Sequence, residues 1–167
     1  LLLLWSLAAL QLAFAARIAL MRFIDPQSTT FQRSEIWRLA TEKHAVAWAQ
    51  EWRPLEQLSQ NLQRAVIASE DAGFSDHNGV DWEAIETAWE KNQKAEARAQ
   101  RQRARVASAR VVGGSTITQQ LAKNLLLSGE RTALRKAQEL VLTLLIEGLL
   151  DKRRILEIYL NNVEWAK

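Results

Sequence analysis

Read as hydrophobic and polar positions, the chain opens on LLLLWSLAALQLAFAA, sixteen residues without a charge, closed by Arg17 and Arg22. A bilayer span takes about 20 apolar residues, so residues 1–24 are expected to be the C-terminal portion of a transmembrane helix or uncleaved signal anchor. A signal-peptide core or a buried helix would produce a similar run, but no small-residue cleavage site follows it. Arg17 and Arg22 alone do not orient the segment, because the charge rule compares both flanks.

Downstream, the pattern is a series of helices. Leu58, Leu62 and Val66 recur every four residues after Pro54, which predicts a helix over 56–69 with one buried stripe. It runs into SEDAGFSDHNG, where Gly73 and the Asp-His-Asn-Gly cluster break it and form a loop. Asp81 reads as the N-cap of the next helix, with Val80 and Ile85 spaced as a hydrophobic staple. In GGSTITQQLAKNLLL, residues 113–127, Thr116 and Gln119 have the spacing of a capping box, and Ile117, Leu121 and Leu125 form the apolar stripe until Ser128 and Gly129 end the helix. From 133 to 150 the polar residues Arg135, Glu139, Thr143, Glu147 and Asp151 fall at every fourth position of an otherwise apolar helix. Such a seam faces water or a cleft, and water is the simpler expectation. KRRILEIYLNN continues the pattern, with Glu157 and Asn161 sharing one face.

Composition agrees with the pattern. At 167 residues, 48% apolar and 25% charged, the chain has the size and makeup of one compact domain. Six glycines and two prolines leave little material for the turns of an all-β fold, and helix formers dominate, so the fold class is all-α. The absence of cysteine excludes disulfides and thiolate chemistry, and two histidines, His44 and His77, argue against a His-rich metal site. Residues 25–54 form a juxtamembrane segment whose Trp37, Trp48 and Trp52 suit either a bilayer interface or core packing.

Charge is concentrated. Residues 91–110 carry seven Lys or Arg against one acid, a local +6 in a chain of net +3, so the remainder is net acidic. The stretch fits a solvated helix, a mobile flap, or a patch for phosphate or anionic lipid. It has no interleaved aromatic residues for base stacking, so no nucleic acid is expected as partner. At the other end, NNVEWAK stops directly after a helical pattern, and the domain is expected to lack its C-terminal part.

The start of the 116–127 helix presents free N–H groups and a partial positive charge, a natural anion site, with glycines that admit a ligand close to the backbone and with Lys123 and Arg131 nearby. A plain helix cap explains the same stretch equally well. Four polar clusters then stand out: Glu70 with Asp71, the entrance at 113–119, Arg135/Lys136/Glu139, and Glu157 with Asn161.

In order and approximate spacing, EDAGFSDHNG, GGSTITQQLAKN, RKAQE and KRRILEIYLN resemble four of the five signature motifs of the peptidoglycan glycosyltransferase family (glycosyltransferase family 51). The resemblance covers residues 55–165. Without a partner domain it is closest to the monofunctional form rather than the penicillin-binding-protein form fused to a transpeptidase. It implies an all-α, lysozyme-like transglycosylase domain over 55–167 with a basic flap at 91–112, behind an N-terminal transmembrane helix. The implied reaction is polymerisation of lipid II into β-1,4-linked glycan, with inversion and release of undecaprenyl pyrophosphate. The expected site is the cytoplasmic (inner) membrane of a bacterium, single-pass, with the catalytic domain on the periplasmic side. Implied partners are lipid II, the growing glycan chain, the membrane and proteins of cell-wall synthesis or division.

By the same resemblance, Glu70 is the general base on the acceptor 4-hydroxyl, and burial beside Phe74 would tune it. Glu139 positions the donor pyrophosphate or holds a divalent cation, Mg or Mn. Ser115, Thr116, Gln119, Lys123, Arg131, Arg135 and Lys136 are expected to bind substrate. Asp71, Phe74, His77, Gly79, Glu157 and Asn161 are expected to be supporting, His77 by ordering its loop and Glu157 by burial beside Arg153. Pyrophosphate leaves well and calls for cations and oriented N–H groups, whereas a glycosidase needs a second carboxyl group to protonate its leaving group. A lysozyme-like lytic transglycosylase or muramidase, and a membrane-anchored lipid-binding scaffold, are the alternative readings.

Overall fold

The computed structural model describes residues 1–26, 28–42, 51–101, 113–127 and 132–163. Trp48, Arg131 and the 102–112 part of the expected flap lie outside them. Regular structure among the described residues is helical throughout: α1 (Leu2–Leu20), α2 (Thr30–Glu42), a single 3-10 turn (Leu55–Gln57), α3 (Gln60–Glu70), α4 (Trp82–Arg101), α5 (Ile117–Leu126), α6 (Ala133–Leu149) and α7 (Lys152–Asn162). The all-α expectation therefore holds.

Helix α5 is the hub and packs against α2, α6 and α7. Its expected stripe is the centre of the core, with Ile117, Leu121 and Leu125 essentially inaccessible, and they meet Leu142 and Ile146 of α6 and Ile155, Ile158 and Tyr159 of α7. Three further helix entrances carry side-chain N-caps. Thr132 accepts from the Arg135 amide, Asp151 from Arg154, and Asp81 from Ala84.

Two expectations are corrected. Helix α3 starts at Gln60, capped by Ser59, because Leu58 is extended and the 3-10 turn precedes it. A four-residue period counted from Leu58 therefore does not run along one helix. Leu62 stays exposed, and Leu55, Leu58, Val66 and Ile67 make the contact with the core. In α6 the polar seam points inward rather than to water. Glu139 and Thr143 are 3% and 0% exposed, while Leu134, Leu140, Val141 and Leu144 face out. The described part of the basic stretch, 91–101, continues α4 as helix, one of the readings its sequence allowed.

Helix α1 is long and apolar enough to cross a membrane, yet its last turns belong to the domain. Ile18 and Met21 are buried in the core, Phe14 packs against it, and Gln11 and Gln138 of α6 exchange amide hydrogen bonds of 2.8 and 3.0 Å. Arg154 locks the end of this helix. It donates to the Met21 carbonyl (2.8 Å), Asp25 (2.7 Å) and Glu157 (2.5 Å), and lies over the Trp52 ring at 5.4 Å. Glu157 thus pairs with Arg154 and also receives the Leu55 amide, while Arg153 pairs with Glu56, contrary to the expected Arg153 partner. Asn161 holds both backbone polar groups of Arg53. Removing Arg154 leaves Glu157 partly buried without its cation. Arg154→Met is expected to cost about 2–4 kcal/mol, read as a lowered midpoint of thermal unfolding by circular dichroism.

Candidate active site

Asp71 follows the last residue of α3, and its two carboxylate oxygens tie together the site's other elements. Oδ2 accepts the backbone N–H of Ile117, the first residue of α5, at 3.0 Å, and Oδ1 accepts from His77 Nε2 at 2.8 Å. The other ring nitrogen, Nδ1, accepts from the Gly79 N–H at 3.1 Å. That bond assigns the ring proton to Nε2, facing Asp71. The loop then returns to α5, where the Thr116 hydroxyl donates to the Gly79 carbonyl at 2.6 Å.

This arrangement changes the reading of the α5 entrance. The capping box is present, with Thr116 accepting from the Gln119 amide and Gln119 Oε1 accepting from the Thr116 amide. Both side chains are buried and committed to the cap. The helix N-terminus already receives a carboxylate, that of Asp71, so the position expected for a substrate anion is filled by the protein itself. Gly114 lies close against α4. A Cβ there would lie 3.2 Å from the Ile85 Cα and 3.3 Å from the Ala88 Cβ, so it serves the close passage of the chain over α4. Gly113 has open space, and Ser115 is exposed beside it.

Glu70 is exposed, and Phe74 does not bury it. Phe74 is 2% exposed in the core, beneath the Lys152 ammonium at 4.6 Å from the ring centroid. Instead, Glu70 Oε2 accepts from the Gln120 amide at 2.9 Å, and Gln120 Oε1 accepts from the Tyr159 hydroxyl at 3.1 Å. Glu70 stands at a cleft of about 480 Å³ walled by the end of α3, by Glu83, Thr87 and Lys91 of α4, and by Gly113 to Thr116. Gln120 and Tyr159 went unnoticed in the sequence. The available signal was the QQ doublet, because successive helical residues point about 100° apart and only one of the two can serve the cap.

The inward seam of α6 carries two ion clusters. Glu139 accepts from Arg135 at 2.9 Å and from Lys136 at 2.5 Å, one on each oxygen. Arg135 Nε is buried with no partner. Further along, Glu147 accepts from Thr118 (2.5 Å) and Lys152 (2.9 Å), and Lys152 also donates to the His77 carbonyl at 2.7 Å. Lys152 and Glu147 thereby clamp the loop that carries His77 and Gly79. Lys123 is exposed on α5.

Neither carboxylate grouping suits a resident metal. Both Glu139 oxygens are already taken by cations. Asp71, His77 and Asp81 place ligand-type atoms within 4.8 Å of one another, but the Nε2 lone pair needed for coordination carries the proton given to Asp71.

An exposed carboxylate thus stands beside a cleft, next to a helix start capped by a carboxylate and a cationic seam, in a domain whose described residues form helices only. The Transglycosylase family signature matches residues 38–167, and the chain belongs to that family. It is 49% identical over 159 residues to the biosynthetic peptidoglycan transglycosylase of Burkholderia orbicola strain MC0-3, covering 95% of this chain and 60% of that protein. It is 51% identical over 159 residues to the protein of the same name from Burkholderia thailandensis, covering 95% and 57%. The chain thus spans somewhat over half the length of these relatives.

Two substitutions probe the loop. Gly79 has φ of +85°, and a Cβ there would meet Thr143 Cγ2 at 2.7 Å and Glu147 Cγ at 2.8 Å. Gly79→Ala is expected to destabilise by about 2–4 kcal/mol through backbone strain and overlap, measured by denaturant unfolding. Asp71→Asn sets one amide N–H₂ against either the Ile117 N–H or the His77 Nε2–H. A loss of about 1–3 kcal/mol is expected in the same measurement.

Proposed function

We propose that the protein polymerises a lipid-linked disaccharide pyrophosphate, lipid II, into β-1,4 glycan. The observation that carries this reading is the contrast between two glutamates. Glu70 is exposed at the cleft with one neutral donor on it, whereas Glu139 is buried between Arg135 and Lys136. A carboxylate accepting two charge-assisted hydrogen bonds holds cations in place and is not placed to give a proton to a leaving group. The chemistry that fits is therefore one base and an anionic leaving group, not the paired carboxyl groups of a glycosidase.

In this reading, Glu70 removes the proton of the acceptor 4-hydroxyl as that oxygen bonds to the anomeric carbon of the donor. The bond from that carbon to the pyrophosphate oxygen breaks with inversion, and the electron pair leaves with the pyrophosphate. Arg135, Lys136 and Lys123 stabilise the developing charge. A divalent cation, Mg or Mn, enters as the counter-ion of the pyrophosphate substrate. Helix α1 anchors the domain in the inner membrane, with the catalytic part on the periplasmic side. The exposed Leu134, Val141 and Leu144 of α6 flank its contact at Gln138 and meet the lipid.

Full-length protein in detergent with labelled lipid II and a divalent cation is expected to form glycan chains. Glu70→Gln should lower the rate by about 10²–10⁴-fold with an unchanged helical circular dichroism spectrum. Polymer formation by that variant at the parent rate would remove Glu70 from the role of base. Solubilisation of preformed peptidoglycan without polymerisation would replace the reading with a lytic one.

A further inference from the structure

Tyr159 is the chain's one tyrosine, and it sits 2% exposed among Ile155, Ile158 and Leu160 on α7. Its ring would serve this apolar environment equally well as phenylalanine. The hydroxyl calls for a separate explanation, since a buried phenol needs a partner, and the partner here is a single atom, Gln120 Oε1 at 3.1 Å. From the other end of the same amide, Nε2 reaches Glu70 Oε2 at 2.9 Å. Resting on the reading of Glu70 as the base, we propose that Tyr159 is a positioning residue: its hydroxyl fixes the Gln120 amide with the N–H₂ group toward Glu70, and so holds the catalytic carboxylate in one orientation.

The direction of the chain follows from the valences of its members. An ionised carboxylate only accepts, so a Gln120 amide turned by 180° would set Oε1 against Glu70, lone pair to lone pair. With the amide as found, Oε1 needs a donor, and the Tyr159 O–H supplies it. That donor is permanent. Burial first, then the charges of Glu70 and Asp71, push the Tyr159 hydroxyl up to about 12, so it keeps its proton at any working pH.

Glu70 and Gln120 both lie at the surface end of this chain, Glu70 exposed and Gln120 partly so. Neither is held there by packing. The buried tyrosine on α7 is the rigid end, and the two hydrogen bonds transmit its position to a side chain that would otherwise sample several rotamers. Without the Tyr159 hydroxyl, Oε1 loses its donor, the amide turns toward water, and Glu70 loses a donor in turn.

The test is the polymerisation rate of full-length Tyr159→Phe, Gln120→Met and the double variant. Tyr159→Phe keeps the ring, so the circular dichroism spectrum and KM for lipid II should stay at the parent values. Its kcat should fall about tenfold. In the Gln120→Met background, Tyr159→Phe should produce no further loss, because the hydroxyl acts through the amide. A parent-like kcat in Tyr159→Phe, a raised KM in place of the lowered kcat, or a full additional loss in the double variant would overturn the proposal. Failure of the base assignment is read separately, from the activity of Glu70→Gln.

Discussion

The hydrogen bond from the Ile117 amide to the Asp71 carboxylate joins the end of α3 to the start of α5, and the site is organised around it. A negative charge on the first free N–H of a helix is favoured by the helix dipole and satisfies a donor that the helix leaves unpaired. Here the bond also joins residues 46 positions apart. It places Glu70, one residue earlier, next to Gln120, one turn into α5. The second oxygen of Asp71 recruits His77, and His77 in turn orders the loop to Gly79, whose carbonyl receives the Thr116 hydroxyl. One carboxylate therefore sets the end of one helix, the beginning of another and the loop between α3 and α4.

The anion site at the α5 entrance is internal, filled by Asp71, and the cations of the α6 seam lie apart from it. Arg135 and Lys136 on Glu139 form a cluster with cations in excess, and Arg135 Nε is unpartnered. The cleft beside Glu70 is lined by Asp71, Asp81 and Glu83 with Lys91, a surface suited to sugar hydroxyls more than to phosphate. The proposed reaction, which takes a proton on one side and releases an anion on the other, would find two surroundings of opposite charge here.

Helix α6 shows how strongly partners decide the direction of a face. Its polar residues face inward because each finds a partner there: Arg135 and Lys136 for Glu139, Thr118 and Lys152 for Glu147, and the Glu139 carbonyl for Thr143. Buried polar groups are tolerable when hydrogen-bonded. The leucines then face out beside α1, the chain's most apolar segment. The same helix α1 ends inside the core, so the expected anchor and catalytic domain share packing rather than a tether.

Several features were legible in the order of residues alone, because they are local. The caps of Thr116/Gln119 and Asp81 act within four residues of themselves, and the Ile117, Leu121, Leu125 stripe follows from helical period, so spacing determined them. The motif series identified the family for the same reason, being read along the chain. What only the tertiary structure decided involves partners far apart in sequence. Asp71 reaches Ile117, Tyr159 reaches Gln120, Lys152 reaches His77 and Arg154 reaches Met21. The inward turn of the α6 seam belongs with them, since periodicity places residues on a face but does not say which face is buried. Spacing marked Gln119 as polar and near the site, and the fold assigned it to the cap while giving Glu70 to its neighbour Gln120. A side chain's role depends on what folds against it, and the linear pattern does not contain that distance.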